Sequence, residues 1–321
     1  MTPRGSTQRL PLFTVVMPAF RAADTIAQAV QSVLAQTESR FELIVVDDGS
    51  PDESAAVARA AACGDPRVRV LRQPNSGPAS ARNRGIASGS APLVAFLDAD
   101  DRWSPETLAR HLGHFESASY LGVSFARICL HDATLTRPGR VSAFVPSLEL
   151  AHVMGENPVC TTSNLVARRD VFDSVGGFDA ALTHAEDQEW VARVLSTTAW
   201  DVRGLDAVLV DYRMSADGLS ADLDRMRAGW RSMIERVRSY APRQASVAEP
   251  RATALFERYL ARRALRTGQP ARRALGHLVA ALRHSPLALL VHQPKRTALT
   301  MIGVMAAAIL PAAWVRGAIT R

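Results

Sequence analysis

The chain has 321 residues, 47% of them hydrophobic, enough for one large domain with an appendage or for two domains, and too apolar for global disorder. Its three cysteines, Cys63, Cys129 and Cys160, are widely spaced; they form neither a metal-ligand spacing nor a disulfide framework, so a reducing, cytosolic setting is expected. The net charge of +7 hides an asymmetry: from Arg225 onward 18 Lys and Arg face 3 Asp and Glu, whereas the residues before it carry 20 basic and 28 acidic side chains.

The polar stretch Met1–Leu10 and the short apolar run after it carry no signal-peptide pattern. Leu12–Met17 reads as a buried strand stopped by Pro18, and Asp24 is placed to cap a helix reaching about Gln36. Phe41–Val46 is a second strand ending in Asp47-Asp48-Gly49-Ser50. Pro51–Cys63 is Ala-rich and helical, Val68–Leu71 a third strand, Ser80–Ser88 a short helix and Pro92–Leu97 a fourth strand. Strands alternating with helices predict a mainly parallel α/β sheet with right-handed crossovers.

Beyond Asp101 the rhythm changes. Ser104-Pro105-Glu106 starts a helix, Tyr120–Leu130 is strand-like, and residues 131–158 form a loop-rich insertion. Thr162–Ala167 is a strand followed by a turn at Gly176-Gly177, Ala185–Ser196 a helix and Val208–Arg213 a strand. From about Ser220 every periodic segment is helical, punctuated by Pro242, Pro250, Pro270, Pro286 and Pro294. The predicted division is therefore an α/β domain at 1–220 and a basic helical region at 221–321. In the tail, basic residues interleave with Leu, Ala and Val at helical spacing, which favours an anionic membrane surface over nucleic acid as partner. The last apolar segment, Thr297–Val315, is interrupted by Pro311 and fits an interfacial or packed helix better than a span.

Four stretches bear chemistry. Leu97-Asp98-Ala99-Asp100-Asp101 ends a buried strand in three carboxylates within four residues. Like charges this close repel unless a cation is present. Asp98 and Asp100, two positions apart, point the same way from a strand end and can share Mg²⁺ or Mn²⁺ with phosphate oxygens; the plainer reading is a turn in which Asp101 is a local cap. Asp47-Asp48-Gly49-Ser50 is either an ordinary turn or a strand tip whose carboxylate accepts from a base or ribose. Asn75–Asn83 offers a helix start that favours anions and, one turn in, Arg82 to grip a diphosphate; an ordinary surface arginine is the alternative. In Glu186-Asp187-Gln188-Glu189-Trp190, acids in a first helical turn suit the macrodipole, and one facing a pocket can act as a general base.

Taken in order, Val16–Phe20, Val45–Ser50, Asn75–Gly85, Phe96–Trp103, Ser163–Asp179 and Glu186–Trp190 resemble the family 2 glycosyltransferases over about residues 12–220. The resemblance implies a GT-A fold: a Rossmann-like, mainly parallel sheet flanked by helices, here with a C-terminal helical tail. It implies a base pocket lined by Pro18, Ala19 and Phe20, with Asp48 hydrogen-bonding the base and Arg82 contacting the nucleotide. Asp98 and Asp100 would form the DxD motif, Asp98 near the ribose or sugar and Asp100 on the metal, and Asp187 would be the catalytic base of an inverting transferase.

The expected donor is a UDP-linked sugar with Mg²⁺ or Mn²⁺, and the expected acceptor a glycan or lipid-linked hydroxyl in envelope glycan or polysaccharide synthesis. The expected location is cytoplasmic and peripheral, at the inner face of the membrane, with no nucleic-acid partner. Two departures stand out. Ser215 follows Tyr212-Arg213-Met214 where many relatives carry a histidine, so the metal would rely on Asp100, phosphate and water, or on Asp217. The Gln-x-x-Arg-Trp motif of processive members is absent, so one sugar per encounter is expected. A silent nucleotide-sugar-binding protein is a competing reading. A nucleotidyltransferase is another, but it would need a glycine-rich loop that Pro18–Ala23 does not supply.

Overall fold

The structure is a computed structural model and describes residues 10–214, 222–291 and 293–309. The chain forms two compact units: Met1–Ser147 with Val159–Trp190 and Thr198–Ser215, and Leu148–Pro158 with Val191–Thr197 and Ala216–Arg321.

In the first unit strands and helices alternate: β1 Phe13–Ala19, α1 Ile26–Leu34, β2 Phe41–Asp47, α2 Ser54–Ala62, β3 Val68–Arg72, α3 Pro78–Ser88 and β4 Leu93–Phe96. These strands lie in the order β3-β2-β1-β4 and run parallel. β1, β2 and β4 are almost wholly buried because helices cover both faces, which is why they read as unbroken apolar runs. The chain then supplies β5 Arg102–Trp103, α4 Thr107–Ser117, β6 Leu121–His131 and β7 Pro138–Val141. After the short α5 Leu150–Met154 come a 3₁₀ turn at Thr162–Asn164, β8 Leu165–Arg168, α6 Arg169–Val175, α7 Glu186–Thr197 and β9 Asp201–Arg213. The sheet continues β4-β8-β6-β9-β5, with β7 on β6. β8 is antiparallel to β4 and β6, and β9 is parallel to β6.

This topology places the site. From β1 the chain moves outward through β2 and β3, then returns to the other side of β1 as β4. Open α/β sheets bind ligands beyond the carboxyl ends of strands at such a reversal. The reversal also explains Pro18. β4 pairs with β1 only through Val16, whereas β2 pairs with it through Ala19. Beyond Val16, β1 is an edge on the β4 side, so a proline is tolerated and the strand runs through it instead of stopping.

Other local expectations shift for identifiable reasons. Thr25, not Asp24, precedes α1, and among the described residues no side chain caps that helix. Residues 131–158 contain β7 and α5 within the loops. Of the prolines that punctuate the tail, Pro250 lies inside a helix and does not end it.

The second unit is helical. It holds α5, α8 Leu223–Tyr240, α9 Pro242–Arg266, α10 Ala271–His284, α11 Pro286–Val291 and α12 Pro294–Ile309. Trp230 stacks on Phe256 with ring centroids 4.5 Å apart and donates Nε1–H to the Met154 carbonyl at 2.6 Å. Arg258, 1% exposed, donates to Glu156 Oε1 at 3.0 Å and to Thr297 Oγ1 at 2.8 Å. Arg296 reaches the other oxygen of Glu156 at 2.5 Å. One carboxylate thus joins α5's end to α9 and α12. Among the described residues no helix is long and apolar enough to cross a membrane.

Candidate active site

Beyond the carboxyl ends of β1, β2 and β4 lie the loops that carry the candidate residues. Leaving β2, Asp48 donates its backbone N–H to the Ala19 carbonyl at 2.8 Å, which holds Pro18-Ala19 beside it. Its buried carboxylate accepts from Gln73 Nε2 at 2.7 Å, Ser76 N at 2.9 Å and Gly77 N at 2.8 Å. These bonds fold the segment before α3 and use three of the roughly four acceptor positions a carboxylate offers. Gly77 sits at φ 87°, a backbone state that glycine adopts without strain. Phe20 is 44% exposed, with the Arg21 guanidinium 5.2 Å from its ring centroid.

One turn into α3, Arg82 is buried and bridges two acids. Its NH2 donates to Asp98 Oδ1 at 2.8 Å and its NH1 to Glu186 Oε1 at 2.7 Å. Burial alone would lower the guanidinium's pKa, but Asp98, Glu186 and Asp187 outweigh it and raise it above its ordinary value. Among the described residues the buried Arg82 Nε has no hydrogen-bond partner. Thus Arg82, Asp98 and the start of α7 meet in space although residues 82 and 186 are far apart in sequence.

Asp187, next along α7, is half-buried. Burial and then the neighbouring Glu186 charge push its pKa up to about 6, against the pull of the Gln188 N–H and Arg82. A packed aromatic group fixes α7: Trp190 stacks on Phe172 at 4.5 Å, and Phe178 meets Phe96 edge-on at 5.3 Å. Trp190 Nε1 donates to the Gly176 carbonyl at 2.9 Å, and Asn83 of α3 exchanges two hydrogen bonds with the Phe178 backbone, each 2.8 Å. α3 and α7 are therefore braced by the same turn.

The carboxylates after β4 take different roles. Asp98 is half-buried, Asp100 exposed and Asp101 buried. Asp101 accepts from Ser163 Oγ at 2.6 Å and from the Arg213 N–H at 2.9 Å. Burial, then the charges of Asp100 and Asp98, raise its pKa well above the ordinary carboxylate value. Water displaced from around Asp100, together with Asp98's charge, pushes Asp100 up to about 6. Such a pair favours a cation, and its oxygens suit Mg²⁺ or Mn²⁺. Among the described residues no group of three or more His, Cys, Asp or Glu is arranged to hold a metal. The pair therefore fits an ion that takes its remaining donors from a bound phosphate and water. Ser215 and Asp217 lie outside the described residues.

Three backbone positions at the edges of these loops, Arg21, Cys160 and Ala185, are non-glycine residues with positive φ, a strain that concentrates at functional sites.

Comparison with known proteins then assigns the chain. The family described as Glycosyl transferase family 2 matches residues 14–176, slightly more than half of the protein. The chain belongs to glycosyltransferase family 2. The succinoglycan biosynthesis protein ExoU of Rhizobium meliloti (strain 1021) is 33% identical over 250 residues, covering 73% of this chain and 72% of ExoU. EpsJ of Bacillus subtilis (strain 168), an uncharacterized glycosyltransferase, is 39% identical over 219 residues, 66% of this chain and 63% of EpsJ, under two thirds of that relative's length. Among solved structures, TarS 1–349 of S. aureus in complex with UDP-GlcNAc has a TM-score of 0.60 at 17% identity, covering 95% of this chain and 90% of that one. The mannosyltransferase PcManGT of Pyrobaculum calidifontis, in complex with GDP-Man and Mn²⁺, has a TM-score of 0.61 at 18% identity, covering 96% and 87%. At these identities the likeness to both structures is one of fold, the GT-A-like α/β fold.

Within this candidate site, residues that the sequence does not single out hold the carboxylates in place. Ser163 Oγ accepts the Asp98 N–H at 3.0 Å while donating to Asp101. Arg213 donates Nε–H to the Asp100 carbonyl at 2.7 Å and NH2 to Gln28 at 3.0 Å. Glu186, grouped with its neighbours as a first-turn acid, is the one that binds Arg82. Sequence offered only the polar run Thr161 to Asn164 there, and that the run is buried is a fact of the fold.

Proposed function

We propose that the chain is an inverting transferase that moves one sugar from a UDP-linked donor to a hydroxyl of a glycan or lipid-linked acceptor in polysaccharide or envelope-glycan synthesis. The observation that carries the reading is Asp187: a half-buried carboxylate whose pKa stands at about 6, on a helix tied through Glu186 and Arg82 to Asp98. A base poised near neutrality is ionised at physiological pH and still able to take a proton.

In this reading Pro18, Ala19 and Phe20 line the base pocket, and Asp48 spends its remaining acceptor position on the base. Asp98 faces the ribose or sugar. The charge of the Arg82 guanidinium is available to the diphosphate. Asp187 accepts the proton of the acceptor hydroxyl as that oxygen bonds to the anomeric carbon. The anomeric carbon–oxygen bond to the diphosphate breaks on the opposite face, and its electron pair leaves with the nucleotide. Arg82 offsets the charge that develops there. A divalent cation, Mg²⁺ or Mn²⁺, on Asp100 and the diphosphate would supply further positive charge to the leaving group. The complexes of TarS with UDP-GlcNAc and of PcManGT with GDP-Man and Mn²⁺ support a nucleotide-sugar and metal of this class, and ExoU's role in succinoglycan biosynthesis supports a polysaccharide product. We assign catalysis to residues 1–220. The basic helical region at 221–321 is assigned a peripheral place at the inner face of the membrane, where a lipid-linked acceptor lies.

The test is Asp187→Asn, assayed for sugar release from nucleotide-sugar donors and for donor binding with and without Mn²⁺. Turnover should fall about 10²–10⁴-fold with donor affinity kept. Transfer at the wild-type rate would sink the assignment.

A further inference from the structure

The second unit carries surface chemistry that the reaction does not use. After Glu257 the sequence contains 11 Lys and Arg and no Asp or Glu. Helices α10, α11 and α12 of this stretch pack on one another and on α9, and each leaves apolar side chains in solvent. On α12 the buried positions include Thr297, Thr300 and Val304, while Leu299, Ile302, Met305 and Ile309 are exposed. Those four, each more exposed than Met301 at 39%, recur at helical spacing along one side. This helix is inverted: its threonines pack inward and its larger aliphatic groups face out, against the direction in which burial of apolar area drives folding. On α10 the exposed stripe is Leu275, Val279 and Leu282, with the exposed Arg272 and Arg283 at its two ends. α11 exposes Leu287 and Leu290, and Lys295 stands exposed at the start of α12. Scattered surface leucines are ordinary; repeated stripes on three adjoining helices mark an interaction surface.

We infer that the exposed face of α10–α12 docks the protein on an anionic lipid bilayer, with Leu299, Ile302 and Met305 entering the headgroup–acyl boundary. Charge selects this occupant. A second copy would oppose helices that carry basic residues and no acid of their own to the same helices, whereas anionic headgroups complement Arg272, Arg283 and Lys295 and the acyl boundary accepts the aliphatic stripes. The inference deepens the proposed peripheral location and names its surface, but bilayer binding needs no catalysis, so the two are tested apart.

The experiment is co-sedimentation of the full chain with vesicles of phosphatidylcholine alone and with about one third phosphatidylglycerol. The protein should bind the anionic vesicles and not the neutral ones. Ile302→Asp with Met305→Asp should weaken that binding at least about tenfold. Val247→Asp, at a still more exposed apolar site on α9, should leave it unchanged. UDP binding and circular dichroism report folding. Should the aspartate pair unfold the chain, Arg283→Gln with Lys295→Gln is the second variant and should cost about tenfold of the anionic preference. Equal binding to both vesicle types, or undiminished binding by these variants, overturns the inference. So does a wild-type dimer that ignores vesicles and becomes monomeric in the aspartate variant, because the face then joins two copies. So does vesicle binding that emerges only on truncation after Ile309, because the chain's own end then covers the face. Loss of sugar transfer with vesicle binding intact counts against the proposed reaction and not against this surface.

Discussion

Burial and the Glu186 charge push the pKa of Asp187 up to about 6, above that of an ordinary aspartate. As a base it must be ionised, so kcat should rise with pH through about 6 and level off above it. The stability consequence has the opposite sign. The folded pKa lies above the unfolded value near 4, so the group favours folding most below pH 4, and that contribution is lost as pH rises toward 6. Thermal melts at pH 4 and pH 7 should show this decline, and Asp187→Asn should flatten both profiles. Ser163 acts on geometry instead. Its hydroxyl joins the Asp98 N–H to the buried Asp101 carboxyl, and Ser163→Ala leaves both without that partner. Urea unfolding should register a loss of about 1–3 kcal/mol. The Asp98–Asp100 spacing was legible in the chain because two residues settle it. The role of Ser163 was not, since it depends on β8 returning beside β4.

At the scale of elements, α3 positions Arg82, and a close approach seats α3. A Cβ on Gly85 would stand 2.3 Å from Val16 Cγ1 of β1, a buried strand that cannot yield. Gly85→Ala should cost about 1–3 kcal/mol in denaturant melts and weaken UDP binding by moving Arg82. The alternation from β1 to β4 was readable because each strand is an apolar run bounded by turn residues. β5, β7 and α6 were not, because two, four and seven residues carry too little period to declare themselves. Pro18 looks like a stop in the sequence, which shows a proline but not that the neighbouring β4 has already ended.

For the molecule as a whole, charge is organised by unit. Glu156 takes both Arg258 and Arg296, and Glu156→Ala would leave the Arg258 guanidinium buried without its carboxylate. Breaking a buried pair from one side costs about 3–5 kcal/mol, so amide exchange in α9 and α12 should accelerate. The +15 of the C-terminal stretch was plain in composition. That some of its arginines are spent on internal pairs while others line an apolar face was not.

Sequence by itself determined the strand–helix alternation, the carboxylate motif after β4 and the split between acidic front and basic tail, because each is set by neighbouring residues or by simple count. Tertiary structure decided that Arg82 is shared between Asp98 and Glu186, that Asp101 is a buried brace held by Ser163 and Arg213, and that α12 turns its aliphatic side outward. Those outcomes depend on which groups lose water together, and that is set only when distant segments pack.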